Sequence, residues 1–339
     1  MVQANEINNN FFIMKIKYAI AATSLSVVLA ACGQAQNTQT TSEQDQAVAT
    51  QTPLTELSIG YQKAALKLIV AKKNQSFEQA FPETKISWKE FPAGPQTLEA
   101  LSVGAIDFGY TGDVPIVFAL AADKPLRYLV AEQSSRQAHA LLIPNNSQIS
   151  SLNELKGKRV GLTKGSSAHY FVSETLNQAG LTWQDIEPVW LTPADARAAL
   201  DKNAIDAWAI WEPYISATEI QGNAKILFDS STLPKVYSFY SSQPQFKVEY
   251  PQAVNQIKHV LNETDAWIEK NPEETAKILA ESTGLTLDIA RAVIQKKPSP
   301  NQVDVPSVEI IQAQQKVADS FYGLKLIPKA VDIQNTAAQ

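Results

Sequence analysis

Gly161-Leu-Thr-Lys-Gly165-Ser-Ser-Ala-His-Tyr170 is the stretch from which the fold is read. The short apolar run ending at Leu162 predicts a buried strand. Beyond it, Phe171, Val172, Leu176 and Ala179 recur at helical spacing and predict a helix over 168–179. Gly165 supplies backbone freedom for the turn, and Ser166 or Ser167 is a good N-cap. A strand, a glycine turn and a helix start together present free backbone N–H groups at the positive end of a helix dipole. Such an end holds an anion without a cationic side chain. The glycine spacing and Lys-Ser/Thr ending of a nucleotide phosphate loop are missing. Taken alone, the stretch also reads as an ordinary capped helix.

Moving outward, strands and helices alternate on both sides. Leu57–Gln62, Lys85–Phe91, Ala105–Tyr110, Leu126–Ala131 and His139–Ile143 read as strands, with helices over Lys63–Lys73, Gln96–Val103 and Val114–Ala122. The order recurs after Arg159, with strands at Glu187–Leu191 and Ala204–Ile210 and a helix over Pro193–Leu200. Alternation of this kind implies mostly parallel sheets covered on both faces, an α/β fold. The length of 339 residues and a 45% hydrophobic content allow a sizeable core and about two domains. A net charge of −5 with no basic block makes nucleic acid an unexpected partner.

An internal repeat supports two similar lobes. Ala100-Leu101 and Ala105-Ile106-Asp107 match Ala199-Leu200 and Ala204-Ile205-Asp206 at a constant offset of 99 residues, and Asp113 falls opposite Glu212. Ligands of open α/β sheets sit outside the carboxyl ends of the strands. Lobes that face each other would therefore bring Tyr61-Gln62, Thr111–Asp113, Lys164–His169 and Trp208–Tyr214 to one cleft. From Pro251 onward the pattern is helical, and this tail reads as packing for one lobe and not as part of a site.

The N-terminal segment reads as targeting sequence. Met14-Lys-Ile-Lys17 is a basic start, and Tyr18–Ala31 is an apolar run too short to span a membrane stably. It ends in Leu29-Ala-Ala-Cys32-Gly33, which resembles the lipobox of bacterial lipoproteins and makes Cys32 the expected lipidation site. Met1 and Met14 both stand open as the start. Cys32 is the single cysteine, so no internal disulfide is expected. Gly33–Pro53 is polar and reads as a flexible tether.

Several stretches together resemble the aliphatic-sulfonate-binding proteins, solute-binding subunits of ABC importers close to the taurine and nitrate binders. They are Glu90–Gln96, Val103–Pro115, Lys164–His169, Leu191–Ala199, Asp206–Tyr214 and Ala318–Pro328, spread over most of the chain from Leu57 to Val331. The resemblance implies a type II periplasmic-binding-protein fold, two Rossmann-like lobes around a cleft with a helical C-terminal segment. The expected boundaries are 1–32 for the signal peptide, 33–53 for the tether and 54–143 for the first part of lobe 1. Lobe 2 follows over 144–240, the return to lobe 1 and the C-terminal helices over 241–331, and a tail over 332–339. The implied role is an exported, lipid-anchored, monomeric receptor that captures an alkanesulfonate for permease subunits. Taurine, nitrate or a pyrimidine of the thiamine-precursor kind is the alternative ligand.

The expected ligand-binding residues are Gln62, Thr111, Gly112, Asp113, Ser166, Ser167, His169, Trp208, Trp211 and Glu212. Ser166 and Ser167 would give hydroxyl donors to a sulfonate, which carries no proton of its own. His169 would donate from one turn into the helix or pack beside the cleft. One of Trp208 and Trp211 would wall the cleft while the other enters the core. The family often has Glu where Asp113 stands and Asp where Glu212 stands. Asp107 and Asp206, being repeated, read as structural turn devices, and Lys164 and Arg197 as peripheral. A hydrolase using Ser166 or Ser167 with His169 is disfavoured, because no nucleophile elbow is present and serine and histidine on one helix turn rarely have attack geometry. No cofactor and no metal are expected, since His139 and His259 form no ligand pair with His169.

Overall fold

The computed structural model describes residues 53–336. The signal segment, Cys32 and nearly all of the tether lie outside the described residues.

The first lobe begins with β1 (Glu56–Tyr61), α1 (Leu66–Lys73) and α2 (Ser76–Ala80). It continues through β2 (Lys85–Glu90), α3 (Gly94–Ser102), β3 (Phe108–Thr111), α4 (Asp113–Ala121) and β4 (Arg127–Gln133). The second lobe holds β5 (His139–Pro144), β6 (Arg159–Leu162), α5 (Ser167–Gln178), β7 (Glu187–Trp190) and α6 (Pro193–Asp201). Then come β8 (Ala207–Trp211), α7 (Tyr214–Ile220) and β9 (Ala224–Asp229). The chain returns through β10 (Tyr237–Ser242) into α8 (Pro244–Glu249), α9 (Pro251–Lys270), α10 (Pro272–Thr283), α11 (Leu287–Gln295), α12 (Val308–Gly323) and α13 (Ile333–Thr336).

The two sheets are built alike. Their orders are β2-β1-β3-β10-β4 and β7-β6-β8-β5-β9. In each, four strands run one way and the fourth in order runs against them: β10 pairs antiparallel with β3 and β4, and β5 with β8 and β9. That antiparallel strand is the one delivered by a crossover. Strand His139–Ile143, expected in the first lobe, thus belongs to the second sheet, and Tyr237–Ser242, expected at the edge between lobe 2 and the return, belongs to the first. A short antiparallel strand pairs with whatever edge the crossover reaches, and residue pattern alone does not say which edge that is.

The crossovers lie side by side. Ser134 N–H donates to Val236 O (3.2 Å), His139 N–H to Ser230 Oγ (3.2 Å), and Ser230 Oγ to Arg136 O (3.0 Å). Two adjacent short connections are where one lobe can turn relative to the other.

The repeat has a structural cause. Asp107 Oδ2 accepts from Ser58 N–H (2.6 Å), and Asp206 Oδ2 accepts from Arg159 N–H (2.8 Å). Ala105 N–H bonds Ala100 O and Ala204 N–H bonds Ala199 O, both at 2.8 Å. Asp107 ties the turn before β3 to the start of β1, and Asp206 ties the turn before β8 to the start of β6, so both serve the fold and not the cleft.

Each face of the first sheet is covered. Leu57, Ile59 and Phe108 pack with Ile257 and Leu261 of α9, while Val114, Val117, Tyr128 and Phe239 pack with Phe321 of α12. The second lobe has its own core around Leu141, Val160, Phe171, Trp208 and Ile210. Burial at this scale, about 25 cal/mol per Å² of apolar surface, holds each lobe without disulfides.

Candidate functional site

A cavity of about 150 Å³ lies between the lobes. Its anion-receptive part is the start of α5. Gly165 adopts φ of 72°, which a β-carbon would strain, and so turns β6 into the helix. Its N–H donates to His169 Nδ1 (3.2 Å), closing the turn. Ser166 is the N-cap residue, and both its N–H (3.2 Å) and its Oγ (2.7 Å) donate to Thr163 O. The next two N–H groups, of Ser167 and Ala168, form no hydrogen bond among the described residues. They are the orphan donors that a helix start leaves over, at the positive end of the dipole. Ser167 Oγ stands beside them, 2.8 Å from His139 Nε2.

Two other helix starts at this cavity, those of α4 and α7, carry the chain's own carboxyl groups. Asp113 Oδ1 accepts from Val114 N–H (3.0 Å) at the start of α4. Glu212 Oε2 accepts from Ser216 N–H (3.1 Å) and its Oε1 from Ser216 Oγ (2.9 Å) in α7. An acceptor placed there takes up N–H groups that a bound anion would otherwise use. Ser167, across from Gly112, sits at a helix start with no acidic residue in its first turn. A β-carbon on Gly112 would come within 2.9 Å of Ser167 Cβ, so glycine is needed for the lobes to approach this closely.

Of the expected site residues, Gln62, Gly112, Asp113, Ser166, Ser167, Trp211 and Glu212 line the cavity. Three do not. Thr111 is fully buried, with its hydroxyl donating to Gly112 O. Trp208 is fully buried in the second-lobe core, edge-on to Tyr214. Trp211, three residues on and therefore on the other face of β8, is the cavity wall. His169 is enclosed by Phe118, Trp183, Trp190 and Phe321 with ring centroids 4.9–5.7 Å away. Burial, with Lys164 nearby, lowers its pKa to about 3. It is a neutral acceptor that shapes the Gly165 turn and gives nothing to the cavity. Ser166 reaches the wall, but its hydroxyl proton is committed to Thr163 O, which leaves the Ser167 hydroxyl, paired with His139, as the one whose proton the backbone does not take. Gln62 likewise spends an amide proton on Tyr110 O (2.9 Å).

The helical tail does more than pack. Asp265, Ile268, Val293, Lys296 and Lys297 all reach the cavity wall. Three lysines line it, each bound by acid: Lys67 by Glu132 and Asp265, Lys296 by Glu212, and Lys297 by Glu269 and Asp265. These residues and His139 were missed in the sequence. His139 opens a strand directly after a crossover, which is a usable signal; the lysines carry none. Lys164 is exposed above the Trp190 ring and Arg197 is tied to Asp201, so both are peripheral. Among the described residues no cluster suits a metal ion and no helix is long and apolar enough to cross a membrane.

Residues 66–280 match the model of the family described as NMT1/THI5 like. The chain belongs to that family. It is 41% identical over 288 residues to a putative aliphatic sulfonates-binding protein of Escherichia coli, covering 85% of this chain and 90% of that one. A Bacillus subtilis protein of the same description is 30% identical over 286 residues, covering 83% and 85%. The alkanesulfonate-binding protein of Xanthomonas axonopodis pv. citri bound to MOPS superposes with a TM-score of 0.81 at 40% identity, covering 85% of this chain and 99% of that one. The chain therefore has the periplasmic-binding-protein fold.

Proposed function

We propose that this protein is the extracytoplasmic solute-binding subunit of an ABC importer and captures small aliphatic sulfonates. The carrying observation is the start of α5, where Ser167 lines the cavity and the N–H groups of Ser167 and Ala168 have no partner among the described residues, while the α4 and α7 starts at the same cavity hold Asp113 and Glu212. A sulfonate is a permanent monoanion with three acceptor oxygens and suits a donor site. At roughly 30 Å³ per water molecule, the cavity has room for a sulfonate head and a short chain. Trp211, Val293 and Ile268 give that chain apolar wall. The names of these relatives support the same ligand class, and their solute-binding role supports a carrier and not an enzyme. Taurine and nitrate are the weaker readings.

The same proposal includes a lipid on Cys32, a polar tether and a monomeric receptor handing ligand to permease subunits; the Leu29–Gly33 motif supports the anchor. A thermal-shift and calorimetry panel of methanesulfonate, ethanesulfonate, taurine, nitrate and sulfate tests the ligand class. Alkanesulfonates are expected to bind tightest, and a response confined to nitrate or sulfate would refute the assignment.

A further inference from the structure

His139 lies on β5, the strand that enters the second lobe from the crossover. Its ring stacks on Phe171 of α5 (centroids 5.8 Å apart, planes at 22°) and its backbone N–H is held by Ser230 Oγ. Strand, helix and crossover together fix the imidazole, and its Nε2 comes 2.8 Å from Ser167 Oγ. Burial lowers its pKa to about 4, so near neutral pH the ring is uncharged and only one of its nitrogens carries a proton.

Which nitrogen carries it decides what Ser167 can do. If Ser167 donates to a bare Nε2, its single proton is spent and its lone pairs face the ligand. If Nε2–H donates to Ser167 Oγ, the hydroxyl proton is free to turn into the cavity. The distinction is sharp because Ser166 has already given its proton to Thr163 O. The α5 start then offers either one hydroxyl donor or none.

We propose that His139 is a positioning residue of the anion site: as the Nε2–H tautomer it donates to Ser167 Oγ and turns the Ser167 proton onto a tetrahedral oxyanion of the sulfonate class. The proposal rests on the anion lying at the start of α5. His139 adds no charge; it sets the direction of one hydrogen bond. It also makes the affinity of a site on one element depend on a residue delivered by the crossover.

The test uses the full chain labelled with ¹⁵N, with and without ethanesulfonate, and long-range imidazole correlations to read tautomers. The chain has three histidines. His169 serves as an internal reference, because its Nδ1 accepts from Gly165 N–H. His139→Gln identifies the His139 signals by their loss and keeps an amide N–H at about the reach of Nε2, so its Kd is expected within about threefold of the parent. His139→Leu cannot donate and is expected to bind about five- to twentyfold more weakly. A protonated Nε2 in the complex with this order of affinities is the expected result. A bare Nε2 in the complex, a Leu variant that binds like the parent, or a Gln variant no better than Leu would overturn the proposal alone. If His139→Leu fails to fold, the parent's tautomer and the Gln variant still decide. If the parent binds no alkanesulfonate at all, the ligand assignment falls and takes this proposal with it.

Discussion

Lys296 Nζ lies 2.8 Å from Glu212 Oε1 and 3.0 Å from Ser216 Oγ, joining the end of α11 to the start of α7. The first partner belongs to the helical tail, which is packed on the first lobe through α10 and α1; the others belong to the second lobe. The pair is a bridge across the cleft and forms part of the cavity wall. Its side chains are 23% and 14% exposed, so salt screens it less than a surface pair.

A bridge that holds the lobes together should act on ligand release. Lys296→Met is expected to weaken binding by about 1–2 kcal/mol, roughly five- to thirtyfold, mostly as faster dissociation. Glu212 keeps Ser216 as a partner, which limits the loss. Stopped-flow release of ligand measures this. An unchanged dissociation rate, with affinity lost only through slower association, would show that the lysine steers ligand in and does not latch the lobes.

At the anion site the order of effects identifies the source of the binding energy. Ser167→Ala removes one hydrogen bond to a charged group, about 1.5–3 kcal/mol or about ten- to a hundredfold in Kd. Gly165→Val should cost at least as much, because φ of 72° disfavours a branched side chain and the turn sets the position of the free N–H groups. Lys164→Ala should change Kd by less than about twofold, since its ammonium lies 5.8 Å over the Trp190 ring and is exposed. Calorimetry on the three variants reads the order. Loss of binding with Lys164→Ala and none with Ser167→Ala would mean a cationic clamp.

The lipid proposed on Cys32 has a test of its own. Cys32→Ser is expected to release the protein from membranes or to leave an uncleaved precursor, while ligand affinity stays unchanged. Fractionation and mass spectrometry check it, and normal lipid attachment in the variant would refute the lipobox reading.

What could be read from sequence followed local physics. Strand, glycine turn and helix start at Gly161–Tyr170 are set by neighbouring residues, although Ser166 gives the helix no side-chain cap, and the 99-residue repeat carried the lobe pairing through Asp107 and Asp206. Partners distant in sequence could not be read. Lys296 meets Glu212 from 84 residues away, and Lys67 meets Asn301 from 234. His169 was misplaced for a related reason. Its place on α5 beside the turn could be read, but its burial depends on Trp183, Trp190 and Phe321 from three other segments. Asp113 lines the cavity, and its bond to Val114 N–H at the start of its own helix shows only in the structure.

Asp113 gives the protein a pH dependence of stability. Its carboxyl is buried, Oδ2 has no hydrogen-bond partner, and no cation is bonded to it among the described residues. Burial pushes its pKa from 3.8 up to about 7, against the smaller lowering by the Val114 and its own N–H groups. A carboxyl whose folded pKa is raised binds its proton more tightly in the native state, so this group's contribution to stability is greatest below the unfolded pKa. It falls as pH rises from about 4 to about 7 and stays lost above that. The loss amounts to up to about 4 kcal/mol, at about 1.4 kcal/mol per unit. Asp113→Asn keeps an oxygen to cap Val114 and carries no charge. The variant is expected to match the parent near pH 3.5, to be more stable at pH 8, and to lose this share of the parent's pH slope. Urea denaturation at the two pH values measures both differences. A variant less stable than the parent at pH 8 would show that the ionised carboxylate is held by the α4 dipole strongly enough to outweigh its burial.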